Sequence, residues 1–155
     1  MSLEIEKKFL IKNENWKEFI FCTLPCRQGY LSENKDLITR VRIILDKAYL
    51  TIKGKQEGIS RQEFEYEIPL PDAEKLLSLS NYQIYKTRFI LNYCNDEWIV
   101  DVFEKNLKGL ALSEIELKDE NQIFKIPNWV GRDVSTNIEF TNYQLAKKGK
   151  IPKLS

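Results

Sequence analysis

Met1-Ser2-Leu3-Glu4-Ile5-Glu6-Lys7-Lys8-Phe9-Leu10-Ile11 opens the chain, and its alternation governs how the remainder is read. With the two-residue period of a strand, Leu3, Ile5, Lys7, Phe9 and Ile11 share one face, while Glu4, Glu6 and Lys8 share the other. Two carboxylates and an ammonium therefore stand in a row on one side of a single strand. Such a row is ordinarily the wet side of an antiparallel sheet. What the later strands place beside it decides whether that is so here.

The same alternation recurs. Asn13, Glu14 and Asn15 offer caps for a short helix through Trp16, Phe19 and Ile20, which Pro25 brings to an end. A second strand is expected over 27–32. In 37–45, Arg40 and Arg42 share a face against Val41 and Ile43; in 48–53, Lys53 lies opposite Leu50 and Ile52. In 61–68, Arg61, Glu63, Glu65 and Glu67 alternate with Phe64, Tyr66 and Ile68. Pro69 and Pro71 break that strand, and an amphipathic helix follows over 72–79 with Ala73, Leu76 and Leu77 inward. Strands over 83–93, 98–103 and 111–118 carry Lys86 and Arg88, then Asp101, then Glu114 and Glu116. A short helix is expected over 119–124, a loop with a buried indole over 127–131, and a final helix over 141–148 capped by Gly149. No repeat, low-complexity tract or linker appears, so 1–155 reads as one domain.

Composition narrows the chemistry. The 24 Lys and Arg nearly balance the 23 Asp and Glu, which argues against a strongly basic nucleic-acid binder. With no long apolar run and charges beginning at Glu4, a cytoplasmic protein without a membrane segment is expected. Cys22, Cys26 and Cys94 are odd in number, match no zinc spacing, and read as reduced and structural. The chain has no histidine, which excludes Ser-His or Cys-His nucleophilic catalysis and any histidine-ligated metal. Carboxylates, lysines and arginines must carry whatever chemistry there is.

Eight short strands suffice to close a barrel, so the fold expected is α+β but mainly β: an eight-stranded antiparallel closed β-barrel with short flanking helices. Periodicity leaves open whether the charged faces line its interior or its exterior. Buried ions each cost several kcal/mol unless well paired, so a dry charged lumen is hard to sustain as structure alone. A wet lumen that binds an ionic ligand escapes that cost. Arginine and lysine suit a polyanion, and carboxylates beside them make sense if hard divalent cations bridge the two. Both signs in one tunnel point to metal-dependent phosphoryl chemistry.

The ordered motifs resemble those of the CYTH superfamily, the triphosphate tunnel metalloenzymes. Glu4-x-Glu6-x-Lys8 is similar to the family's N-terminal signature. It is followed in family order by Gln28-Gly29-Tyr30-Leu31, Arg40-x-Arg42, Leu50-Thr51-Ile52-Lys53-Gly54 and Arg61-x-Glu63-x-Glu65. Lys86-x-Arg88, Trp98-x-Val100-Asp101-x-Phe103 and Glu114-x-Glu116 complete the set, so the likeness runs over about 3–145. It implies an inward-facing charged tunnel in which Lys8, Arg40, Arg42, Lys53, Lys86 and Arg88 hold a triphosphate. All of these except Lys86 are also expected to serve catalysis. Glu4, Glu6, Glu63, Glu65, Asp101, Glu114 and Glu116 are the implied ligands of Mg²⁺ or Mn²⁺. In the family scheme one metal orients the phosphate chain and a second activates water.

The implied reaction is hydrolysis at the terminal phosphorus of a small-molecule triphosphate, most simply inorganic tripolyphosphate, by a monomer or homodimer. A class IV adenylate cyclase, a thiamine or nucleoside triphosphatase, and a polyphosphate-binding module without turnover are the alternatives. Asp133, Ser135 and Phe140 depart from the Glu, Thr and Tyr more common in the family, and the C-terminal histidine of some members is absent. Tyr30 is expected to be a packed strand aromatic rather than a tunnel residue.

Overall fold

The computed structural model describes residues 2–154; Met1 and Ser155, the ends of the expected 1–155 unit, lie outside the described residues. The strands are β1 (Leu3–Ile11), β2 (Ile20–Tyr30), β3 (Ile38–Ile44), β4 (Lys47–Lys53) and β5 (Ser60–Ile68), then β6 (Tyr82–Tyr93), β7 (Asp96–Phe103), β8 (Ala111–Glu116) and β9 (Val130–Asp133). Helix α1 (Leu70–Leu79) joins β5 to β6, and α2 (Asn142–Lys148) is the last element. Neighbours run β1-β5-β4-β3-β2-β6-β7-β8 and back to β1, all antiparallel, so the first eight strands close a barrel. One edge of β1 pairs with β8. The other pairs with β5 through residues 3–5 and with β9 at Phe9 and Ile11, so β9 completes the wall where β5 has ended.

Register fixes what faces inward. Lys8 lies opposite Glu114, Glu6 opposite Glu116, Lys53 opposite Glu63, and Arg88 opposite Asp101. The alternate, apolar positions turn out and are covered. Ile5, Phe9, Leu91, Trp98, Val100 and Ile115 form an outer core with Trp16 and Trp129, which come from the 3₁₀ turn Asn15–Phe19 and the segment before β9. Val41, Ile43 and Ala48 pack beneath Ala73 and Leu77 of α1. The hydrophobic effect is therefore satisfied outside the barrel wall, and the charged faces are left to line a tunnel. This settles the orientation that periodicity left open.

One end of the tunnel is filled. Phe140 and Leu145 pack against Ile84, Phe103 and Leu112, and Tyr143 packs against Tyr30 and Ile38. These strand residues have inward parity, so α2 and the 3₁₀ turn Ile138–Phe140 before it act as an apolar plug. Thr141 caps α2 through its Oγ1, which accepts from the Gln144 amide, and Gly149 ends it in the left-handed region.

Several boundaries differ from the sequence expectations for identifiable reasons. Strand β2 begins at Ile20 and runs through Pro25 rather than starting at residue 27. Pro25 turns its carbonyl toward the Leu45 amide, on the edge where β3 pairing stops, so its missing donor costs no ladder bond. Residues 119–124 form a turn, not a helix, because the Asp119 carboxylate takes the Asn121 amide and Gln122 caps the Lys118 amide. The expected loop 127–131 holds its buried indole, Trp129, but passes into β9, a strand too short to show a period. Helix α1 starts at Leu70, two residues early, with Pro71 tolerated in its first turn. No helix among the described residues is long and apolar enough to cross a membrane.

Candidate active site

Strand order sorts the inward charges into two walls. Arg40 and Arg42 on β3, with Lys86 and Arg88 on β6, flank β2 and make a basic wall. Glu114 and Glu116 on β8, Glu4 and Glu6 on β1, and Glu63 and Glu65 on β5 occupy three consecutive strands and make an acidic wall. Lys8, Lys53 and Asp101 interleave. The fold thus sets every candidate site charge on an inward-facing position of the barrel wall, without gathering the carboxylates at one point.

Within the tunnel the charges pair across strands. Asp101, 1% exposed, accepts from Lys86 Nζ at 2.8 Å and from Arg88 Nε and Nη2 at 2.9 and 3.0 Å. Lys53 Nζ lies 3.1 Å from Glu4 and 3.2 Å from Glu63. Lys8 Nζ lies 3.5 Å from Glu114 and donates to the Phe140 carbonyl at 3.1 Å. Glu65 sits 3.5 Å from Arg40 and 3.4 Å from Arg42. Thr51, between them, donates to Glu65 at 2.8 Å and accepts from Arg40 Nη2 at 3.2 Å. Yet Arg40 Nε and Arg42 Nε are buried without a hydrogen-bond partner. Buried donors are normally paired, so these two mark places where an acceptor is missing.

The titration of the carboxylates divides in the same way. Burial alone would raise Glu4, but the Lys53 charge, hydrogen bonds from Glu63 and Lys53, and the Arg40 charge bring it down to about 2. Burial, then repulsion from Glu114 and Glu4, pushes Glu6 up to about 8 against the pull of Lys8 and Lys53. Burial and the nearby carboxylates also raise Glu63 and Glu116. Asp101 resists its burial because Arg88 and Lys86 hold it well below the usual carboxylate range. Among the cations, burial and the Arg40 and Arg88 charges bring Arg42 down to about 10. Burial also lowers Lys8, but Glu114, Glu6 and Asp101 more than restore it.

A cavity of about 240 Å³ opens into the tunnel beside α2. Glu4, Glu6, Lys8, Arg40 and Lys53 reach it, and so do Asn142 and Tyr143 from the plug. Tyr30 lines this cavity as well as packing against Tyr143, so the expectation of a merely packed aromatic holds only in part. Arg61 lines it too but is spent on the loop before β5, donating twice to the Gly54 carbonyl. Sequence reasoning missed Thr51, Asn142 and the Phe140 carbonyl. Thr51 shares the face of Lys53 and was legible by parity; the other two depend on where the plug docks.

Every candidate metal ligand is a carboxylate, the donor type that Mg²⁺ and Mn²⁺ prefer. Among the described residues no three metal-binding side chains are already gathered at one point, as Lys8 and Lys53 hold several aside. Glu6 and Glu116 are different: neither makes an ion pair among the described residues, and each is repelled by two carboxylates, Glu6 by Glu114 and Glu4 and Glu116 by Glu4 and Glu63. A divalent cation would relieve that repulsion, so the residues present fit one.

Comparison with known proteins agrees with the tunnel. The chain is 42% identical over 149 residues to an inorganic triphosphatase of Acetivibrio thermocellus, covering 95% of each chain. It is 32% identical over 148 residues to an inorganic triphosphatase of Nitrosomonas europaea, covering 92% of this chain and 96% of that one. The crystal structure of the inorganic triphosphatase NE1496 superposes with a TM-score of 0.68 at 30% identity, covering 97% of both chains. The CYTH domain model matches residues 2–154, and with these relatives it shows that the chain belongs to the CYTH domain family.

Proposed function

We propose that the protein is an inorganic triphosphatase that hydrolyses tripolyphosphate to pyrophosphate and orthophosphate, using Mg²⁺ or Mn²⁺. The observation that carries this reading is the pair of buried, unpartnered guanidinium nitrogens on Arg40 and Arg42, facing a tunnel whose opposite wall is acidic. A small polyanion satisfies them, and guanidinium forks match phosphoryl oxygens. The two relatives named inorganic triphosphatase support the substrate.

Lys8, Arg40, Arg42, Lys53, Lys86 and Arg88 hold the phosphate chain, and all of these but Lys86 stabilise charge on the transferring phosphoryl group. Glu4, Glu6, Glu63, Glu114 and Glu116 form the acidic wall that would hold the cation. Asp101 and Glu65 act instead through the basic residues they pair with, fixing Lys86 and Arg88 in one case and Arg40 and Arg42 in the other. A divalent cation held at the acidic wall would neutralise charge and lower the pKa of water. In this reading water, rather than a protein nucleophile, attacks the terminal phosphorus, and the absence of histidine leaves no Ser-His or Cys-His pair to compete with it.

The test is a substrate panel. Purified protein is incubated with tripolyphosphate, ATP or thiamine triphosphate and Mg²⁺ or Mn²⁺, while phosphate, pyrophosphate and cyclic AMP are followed. Orthophosphate from tripolyphosphate at the highest kcat/KM of the panel is expected. Cyclic AMP with pyrophosphate from ATP would replace this reading with a cyclase, and preferred cleavage of thiamine triphosphate would replace the substrate.

A further inference from the structure

Lys86 is 1% exposed, and its ammonium is held by two groups of different origin. It donates to Asp101 Oδ2 at 2.8 Å, on the neighbouring strand, and to Asn142 Oδ1 at 3.3 Å, the first residue of α2. The Phe103 ring closes another side, 5.6 Å from the nitrogen. An ammonium has three donors, so this arrangement leaves one for a further acceptor. Asp101 alone cannot fix its direction, because Arg88 takes both carboxylate oxygens as well. Asn142 also lines the open cavity, whereas Lys86 lies behind it, so the Asn142 side chain stands between the buried ammonium and the ligand space.

We propose that Asn142 is a positioning residue: its side-chain carbonyl holds Lys86 so that the remaining N–H meets a phosphoryl oxygen of the substrate. The inference rests on the triphosphatase reading above and adds a residue to it. The chemistry favours an amide at this place. A neutral carbonyl dipole orients an ammonium without cancelling its charge, whereas a carboxylate would pair with it and repel the polyanion. The side chain is also free for this task. Helix α2 takes its cap from Thr141, whose Oγ1 accepts from the Gln144 amide, and it is anchored by buried Tyr143 and Leu145. Substituting Asn142 therefore leaves the plug in place.

The experiment is a double-mutant cycle between Asn142→Ala and Lys86→Met, read by steady-state kinetics on tripolyphosphate, by calorimetric titration of tripolyphosphate without divalent cation, and by thermal unfolding. Lys86 binds substrate without acting at the reacting bond, so Asn142→Ala raises KM and weakens calorimetric affinity by roughly tenfold, the value of one hydrogen bond to a charged group. The kcat stays within about twofold, as expected for loss of uniform binding. In the Lys86→Met background the same substitution has no further effect, because the partner is gone. Asn142→Asp raises KM at least as much as Asn142→Ala.

An undiminished effect of Asn142→Ala in the Lys86→Met background overturns the proposal, as does an effect confined to the unfolding temperature. Kinetics and affinity of Asn142→Ala equal to wild type also overturn it. If the wild type binds tripolyphosphate without hydrolysing it, the triphosphatase reading fails while the calorimetric cycle still decides the role of Asn142. If it does neither, both fail.

Discussion

At the residue scale, Glu6 and Asp101 are opposite solutions to burying a carboxylate. Asp101 is ionised and saturated by Lys86 and Arg88, whereas Glu6 faces Glu114 and Glu4 with too little positive charge. A group whose folded pKa is raised contributes stability below its unfolded value, and that contribution is lost as pH rises through the folded one. For Glu6 the window runs from about 4.5 to about 8, so metal-free protein loses stability over that range. Glu6→Gln removes this penalty, which reaches up to about 3 kcal/mol at pH 7, and raises the unfolding temperature without metal while lowering triphosphatase activity. Melts of both proteins in chelator at pH 4 and pH 8 check this, with the difference between them nearly gone at the lower pH. Asp101 runs the other way: its stabilisation is present above its ordinary value of 3.8 and is lost on acidification. Asp101→Asn strands two buried cations and destabilises by about 3–5 kcal/mol, measurable by urea unfolding at pH 7.

At the element scale, close approach and covering segments decide the architecture. A Cβ at Gly29 would collide with Ser80 and press on Leu77, so β2 and the end of α1 meet only because residue 29 has no side chain. Gly29→Ala should cost about 1–3 kcal/mol through overpacking, seen as a lower denaturant midpoint with unchanged slope. Trp129 is wholly buried and donates to Ser113, and Trp129→Ala should cost about 3–5 kcal/mol by opening the outer core. The long alternating strands were legible in the sequence because each carried several periods of charge against bulk. Strand β9 was not, since four residues containing Gly131 show no period. The first half of β2 was masked by Pro25, whose tolerance depends on where β3 ends, a fact of tertiary structure. The closing helix was legible as an element, with its cap, but its place as a plug was not: Tyr143 and Leu145 announce a buried face without saying what buries it.

For the whole molecule, closure turns a list of charged strands into a device. The residues of the candidate site were legible from parity and ordered motifs, but the separation into basic and acidic walls was not, because it follows from the ring order that sets β5 beside β1 and β2 between β3 and β6. That separation underlies the proposed function, since it sets the candidate phosphate-binding and cation-binding groups on opposite walls of the barrel. It also explains how a tunnel so rich in ions survives burial: most charges are paired, and those left over are the ones that the proposed substrate and metal would complete. The measurement that tests this most directly is a ³¹P NMR time course of tripolyphosphate with Mg²⁺, comparing wild type with a Glu4→Gln, Glu6→Gln variant. The account predicts equal amounts of pyrophosphate and orthophosphate from the wild type, and a rate lower by about 100-fold or more in the variant, as expected when groups that act on the transition state are lost. Full activity in the variant, or an intact tripolyphosphate signal with the wild type, would contradict it.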